Sequence, residues 1–186
     1  FNLAAQGTRQ PGSSFKPFVL TTAVDQGIDP DSTYYEGGST TLYPPNGVPW
    51  QVASDGGGSA SLREATSQSM NSVVAALGLD VGPENFDDMA HKMGITSELQ
   101  DLPAEAIGGT AFCCTVLEMA DAYATLSNGG VHHDPTAIDR VSFAGRHLEC
   151  LGPVGGRRDA DFHMGHRPVG IDVADVQGEH GRLPEV

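Results

Sequence analysis

Pro17 constrains this 186-residue chain more than any other residue. Proline has no backbone N–H and its ring clashes with the carbonyl four residues back, so a helix accepts it only in the first turn. The pattern around it is helical. Phe15, Val19 and Ala23 recur at i, i+4 and i+8, and Gly27 can close the run. The spacing predicts a helix over 14–27 that starts at about Ser13 or Ser14. Lys16 then lies three residues after Ser13, on the same helical face. It is the only lysine in the first 91 residues.

A helix N-terminus carries unpaired N–H groups and a partial positive charge. A serine there sits where a developing oxyanion can be stabilised. Lys16 is flanked by apolar Phe15, Phe18 and Val19, and desolvation lowers a lysine pKa. A neutral amine beside a hydroxyl makes a nucleophile and its base. The bland alternative is a plain helix cap followed by a solvated lysine. Ser-x-x-Lys is short, and roughly one copy turns up by chance in a chain of this length.

Further along, residues 29–60 are rich in Gly, Pro, Ser, Thr and Asp and read as a long irregular surface segment, with Tyr43 and Trp50 pinning it to the body. Ser61-Leu-Arg-Glu64 is a capping-box pattern with Leu62 and Ala65 facing inward. Six of the seven residues from Thr66 to Ser72 are polar, then Val73–Leu77 is apolar and Gly78 reads as a stop. The expectation is a helix over 61–78 broken around Ser69, that is, two helices meeting at a short turn. Helices are also expected at 83–93, with Phe86, Met89, Ala90 and Met93 inward, and at 115–128, opened by the capping box Thr115-Val-Leu-Glu118. In the last of these, Met119, Ala120, Tyr123 and Leu126 are assigned to the inner side. Residues 137–143 read as a strand.

Composition narrows the function classes. With 24 acidic against 10 basic residues the net charge is −14, which argues against a nucleic-acid partner. No apolar run approaches the length of a membrane span, and Phe1-Asn2-Leu3-Ala4 does not open a signal peptide. The mid-pattern start suggests a piece of a longer protein. Of the three cysteines, Cys113 and Cys114 are adjacent and neighbours rarely bridge, so free thiols are expected. His132-His133-Asp134 is read as a solvated turn, because adjacent histidines point apart. No metal site is assigned.

Three stretches carry a family resemblance: "RQPGSSFKPF", "SLREATSQSMNSVVAALG" and "IGGTAFCCTVLEMADAYATLSNGGV". In this order and spacing, residues 1 to about 141 resemble the transpeptidase domain of penicillin-binding proteins, most of all the bifunctional class A type. The resemblance implies an α+β, β-lactamase/transpeptidase-like fold, here mainly helical with its central sheet incomplete or missing. It implies that Ser13 is the nucleophile attacking the D-Ala-D-Ala bond of a peptidoglycan stem peptide and that Lys16 is its base. By the same resemblance, Ser69 relays a proton to the leaving amine, and Asn71 bonds Lys16 and the substrate backbone. β-Lactams would acylate the same serine. No cofactor is implied, and the site would be extracytoplasmic, tethered to the cell membrane by an upstream segment. No substrate-binding residue is assigned beyond these four.

The sequence departs from the family in one respect. No lysine follows Lys92, so the Lys-[Ser/Thr]-Gly strand motif is absent, and His163-Met164-Gly165 is its nearest substitute. The chain divides on this reading into a partial transpeptidase domain, 1–144, and an atypical tail, 145–186, non-native to the family or disordered. Whether the chain is an active enzyme is left open. The alternatives to a D,D-transpeptidase are a β-lactamase or β-lactam sensor of the same fold, disfavoured by the lack of a Glu-x-x-x-Asn motif, and a non-catalytic remnant.

Overall fold

The computed structural model describes residues 1–55, 57–110, 113–137, 140–143 and 146–149. Six helices, two 3-10 turns and eight short strands follow one another in this span. Helix α1 (Leu3–Gln6), strand β1 (Thr8–Arg9) and a 3-10 turn (Gly12–Phe15) lead into α2 (Lys16–Asp25). The strands β2 (Tyr34–Gly37), β3 (Thr40–Leu42), β4 (Trp50–Val52) and β5 (Gly58–Ser61) precede α3 (Leu62–Ser67), α4 (Asn71–Val81) and α5 (Pro83–Met93). A second 3-10 turn (Pro103–Ile107), β6 (Cys114–Thr115), α6 (Val116–Ser127), β7 (Arg140–Phe143) and β8 (Arg146–Glu149) complete it.

The helical boundaries follow from local chemistry. Pro17 stands in the first turn of α2, as its missing N–H requires, and the preceding residues tighten into a 3-10 turn instead of joining the helix. Pro83 and Gly94 bracket α5 in the same way. Ser61 accepts the Glu64 N–H at the start of α3. Thr115 and Glu118 exchange both bonds of a capping box at the start of α6. The break expected around Ser69 is present, with α3 ending at Ser67 and α4 beginning at Asn71.

The core is a helical one. Phe15, Phe18, Val19 and Ala23 of the first two segments are fully buried, with Leu62, Ala65, Val73, Leu77, Phe86, Met89 and Ala90 around them. Phe15 meets Phe18 and Phe86 edge to face, with ring centroids 4.8 and 6.3 Å apart. Each Val, Leu, Met or Phe side chain removed from water here contributes on the order of 1.5–3 kcal/mol.

Several expectations are corrected. Gly78 does not stop α4; the helix runs through it to Val81 and Gly82 closes it. A Cβ at Gly78 would stand 2.5 Å from the Ala106 Cβ, so the glycine lets the second 3-10 turn approach the helix. The segment 29–60 is not wholly irregular, since β2 pairs with β5 and β3 with β4 in two antiparallel ribbons. Tyr43 is 73% exposed and pins nothing; Tyr35 does, donating to Asp80 of α4 at 2.6 Å. Helix α6 buries Asp121, Ala122 and Thr125, while Tyr123 and Leu126 stay exposed. Cys113 and Cys114 are joined by a disulfide. The strand expected at 137–143 is realised as β7, paired antiparallel with β8. His163-Met164-Gly165 and the tail beyond Glu149 lie outside the described residues.

Candidate functional site

The 3-10 turn before α2 presents Ser13 to solvent, while the next turn of the same segment drives Phe15 and Lys16 inward. Lys16 is only 3% exposed. Such burial follows from its neighbours, since a residue between Phe15 and Phe18 at the head of a core helix has little water to reach. Desolvation accordingly pulls the Lys16 pKa below the ordinary lysine value.

Among the described residues, the acceptors of Lys16 come from the break between α3 and α4 and from the first residue of α4. Its Nζ donates to the Ser69 carbonyl oxygen at 2.6 Å, to Asn71 Oδ1 at 2.7 Å, and lies 2.9 Å from Ser69 Oγ. Ser69 reaches this position in a left-handed backbone conformation, φ 54°, which is uncommon for a residue with a Cβ and turns both its carbonyl and its hydroxyl onto one amine. The Met70 N–H, bonded to the Ala65 carbonyl, closes the turn, and the Met70 side chain is buried in the core. The Asn71 amide nitrogen donates to the Ala53 carbonyl at 3.3 Å, which fixes the orientation of its Oδ1 toward Lys16.

The chemistry of that cage depends on protonation. An ammonium has three protons and meets three oxygens here. A neutral amine has two protons and one lone pair; it would donate to the Ser69 carbonyl and Asn71 Oδ1, leaving the lone pair free to accept from a hydroxyl. The same cage therefore accommodates an amine that gains and loses a proton without reorganising.

Two more elements back the turn. The Tyr123 hydroxyl on α6 donates to the Ser14 carbonyl at 2.9 Å. Gly108, at the end of the second 3-10 turn with φ 74°, sits so close beneath that an added Cβ would fall 1.9 Å from the Gly12 carbonyl oxygen. The segment leading into that second turn is tied by two buried carboxyl groups, Asp87 of α5 and Glu105 of the turn itself. Glu105 accepts from the Gln100 and Leu102 N–H groups, and Asp87 from the Asp101 N–H. Burial and the adjacent Glu105 charge raise the Asp87 pKa to about 8.

Of the residues singled out from sequence, Lys16, Ser69 and Asn71 are brought into one hydrogen-bonded cluster, and Ser13 lies on the turn leading into it. His132 turns inward to Asp121 at 2.8 Å while His133 is exposed, so the two point apart but the first is not solvated as expected. Among the described residues no group of His, Cys, Asp and Glu is arranged to hold a metal ion. Tyr123, Gly108 and Glu105 were not identified as neighbours of the site. The one available signal was Pro17, whose missing N–H leaves the preceding turn short of a donor. An apolar cavity of about 450 Å³ between α2, α5 and α6, lined by Leu20, Val24, Met89, Met93 and Leu126 among others, includes none of the four candidate residues.

The chain resembles known proteins in both fold and sequence. It superimposes on penicillin-binding protein 1A from Haemophilus influenzae with a TM-score of 0.69 and 28% identity, over 80% of this chain and 22% of that one. It matches PonA1 of Mycobacterium tuberculosis in complex with penicillin V with a TM-score of 0.65 and 29% identity, over 80% and 42%. The fold is thus that of penicillin-binding transpeptidase domains.

Residues 1–167 match the penicillin binding protein transpeptidase domain. The chain belongs to that family. Penicillin-binding protein 1A of Mycobacterium tuberculosis is 32% identical over 74% of this chain and 18% of its own length. Penicillin-binding protein 2D of Bacillus subtilis is 30% identical over 82% and 22%. The chain spans about a fifth of the length of these curated relatives. The family match runs past residue 141, where the recognisable motifs end. Among the described residues no helix is long and apolar enough to cross a membrane.

Proposed function

We propose that this chain carries the acyl-transfer centre of a D,D-transpeptidase that cross-links peptidoglycan stem peptides and is acylated by β-lactams. The observation that carries the reading is the burial of the Lys16 amine against Ser69 and Asn71, immediately behind the exposed Ser13 turn. In this reading Ser13 Oγ attacks the carbonyl of the penultimate D-Ala while Lys16 takes its proton. Ser69 passes a proton to the leaving D-Ala nitrogen, and Asn71 holds both Lys16 and the substrate backbone. The Ser13 backbone N–H, at the head of the turn, supplies one donor of an oxyanion hole. An amino group from a second stem peptide then displaces the serine. The activity belongs outside the cytoplasmic membrane, where that polymer is assembled, with tethering by a segment upstream of this chain.

One observation favours a second reading. No lysine follows Lys92, so the family's Lys-[Ser/Thr]-Gly strand has no counterpart by sequence, and with it go a substrate-carboxylate cation and the second oxyanion donor. A chain lacking these would be a non-catalytic remnant. Fluorescent penicillin decides between the two. Covalent label on the wild-type chain, abolished by Ser13→Ala, supports the transpeptidase centre, and absence of label supports the remnant. Label that is lost rapidly by hydrolysis would instead indicate a β-lactamase.

A further inference from the structure

We infer that Tyr123 is a positioning residue for the Ser13 turn, an assignment that rests on the acyl-transfer reading above and deepens it. The Ser13–Phe15 segment is a 3-10 turn, in which each carbonyl is served by the N–H three residues on. Ser13 follows this rule, its carbonyl accepting from the Lys16 N–H. Ser14 cannot, because the residue three positions on is Pro17 and has no N–H to give. The Tyr123 hydroxyl supplies a donor at that oxygen from 109 residues away, at 2.9 Å. The bond restrains the peptide unit next to the nucleophile, not the nucleophile itself.

The placement of Tyr123 argues against a packing role. It is 41% exposed, on the side of α6 opposite buried Ala122 and Thr125, so its ring contributes little to the core. Its hydroxyl reaches the Ser14 carbonyl. The Ser14 side chain is committed elsewhere, donating to the Pro11 carbonyl at 2.6 Å, so the turn is held within itself by Ser14 Oγ, backed at Gly12 by Gly108, and tied at the Ser14 carbonyl by Tyr123 Oη. Removing the Tyr123 tie leaves Gly12 against Gly108 and Phe15 and Lys16 in the core, but frees the Ser13–Ser14 peptides between those fixed points to rotate. Ser13 would then spend less time aligned with the Lys16 cage, and the step that suffers is bond formation, not ligand capture.

Tyr123→Phe in the full chain tests this, with Tyr43→Phe at an exposed tyrosine as control. Stopped-flow acylation by fluorescent penicillin separates the limiting acylation rate from the dissociation constant of the initial complex. The expected result is a roughly fivefold lower limiting rate for Tyr123→Phe, as loss of one hydrogen bond implies, with the dissociation constant and thermal midpoint nearly unchanged. An unchanged limiting rate overturns the assignment, as does a rate loss matched by general destabilisation. Amide hydrogen exchange at residues 13–16 gives the second readout, independent of acylation. Faster exchange confined to that turn in Tyr123→Phe supports the tie, and equal exchange overturns it. If the wild-type chain takes no label at all, the acyl-transfer reading fails, and the exchange result alone decides whether Tyr123 holds the turn.

Discussion

Lys16 Nζ donates to Asn71 Oδ1 at 2.7 Å, across 55 residues of sequence, and so ties the head of α2 to the head of α4. The bond sets the electrostatics of the amine as well as its position, since a neutral amide accepts from Lys16 without adding a charge that would favour the ammonium. Asn71→Asp adds that charge. It is expected to raise the Lys16 pKa by about 1–3 units, the range for a carboxylate against a cation. The pH profile of penicillin acylation should move to the alkaline side, with roughly 10–100-fold slower labelling at pH 7. Lys16→Ala should remove base catalysis, for a loss of about 10²–10⁴ in acylation rate measured in the same assay.

The contact between Gly108 and Gly12 is backbone against backbone, so no side chain can move to relieve an intrusion. Gly108→Ala would place its Cβ against the Gly12 carbonyl and would also strain a left-handed φ of 74°. The expected cost is on the order of 2–3 kcal/mol from strain and steric displacement together. Urea denaturation should show a lower midpoint, and acylation should fall further than stability predicts, because the displaced turn is the one that carries Ser13.

The buried Asp87 and Glu105 pair gives a pH dependence of definite sign. The folded-state pKa of Asp87 is raised to about 8, first by burial and then by the Glu105 charge, against an ordinary value near 4. Between those values the folded chain holds a proton that the unfolded chain has released, so this group's contribution is fully present below about pH 4 and is lost as pH rises toward 8. Asp87→Asn keeps an oxygen for the Asp101 N–H and cannot ionise. Its thermal midpoint at pH 8 should exceed that of the wild type, and the gap should close toward pH 4.

Glu118 has the opposite sign. Burial opposes its ionisation, but hydrogen bonds from Thr115, Thr96 and Ser97 outweigh that and bring its pKa down to about 2. Its contribution is present above the unfolded value near 4.5 and is lost as pH falls toward 2. Five polar groups, among them the N–H groups of Thr96, Ser97 and Thr115, converge on this one carboxylate. Glu118→Ala removes the α6 capping box and orphans those donors, for a loss of about 2–4 kcal/mol readable in denaturation at pH 7.

Residues that act on their immediate neighbours were legible in the chain itself. Pro17 and Pro83 fixed where α2 and α5 can start, Gly94 where α5 stops, and the Thr115–Glu118 spacing marked the head of α6. The polar run 66–72 announced a turn between two helices, and the family motifs named Ser13, Lys16, Ser69 and Asn71 as candidates. All of these signals operate within a few residues, through fixed φ, a missing donor or a side chain reaching its own backbone, and so they survive in a one-dimensional reading.

Tertiary structure decided what depends on a distant partner. Gly78 looks like a helix stop until Ala106 is seen filling the space its hydrogen leaves. The apolar residues of α6 do not say which side meets α5; in the fold Asp121 and Thr125 go inward because His132 and the Met93 carbonyl await them there, and Tyr123 is left free to reach Ser14. Nor could residue order bring Asp87 of α5 against Glu105 of the second 3-10 turn. A buried polar group must find its hydrogen bond wherever the chain can deliver one, and which remote segment delivers it is settled only when the helices pack.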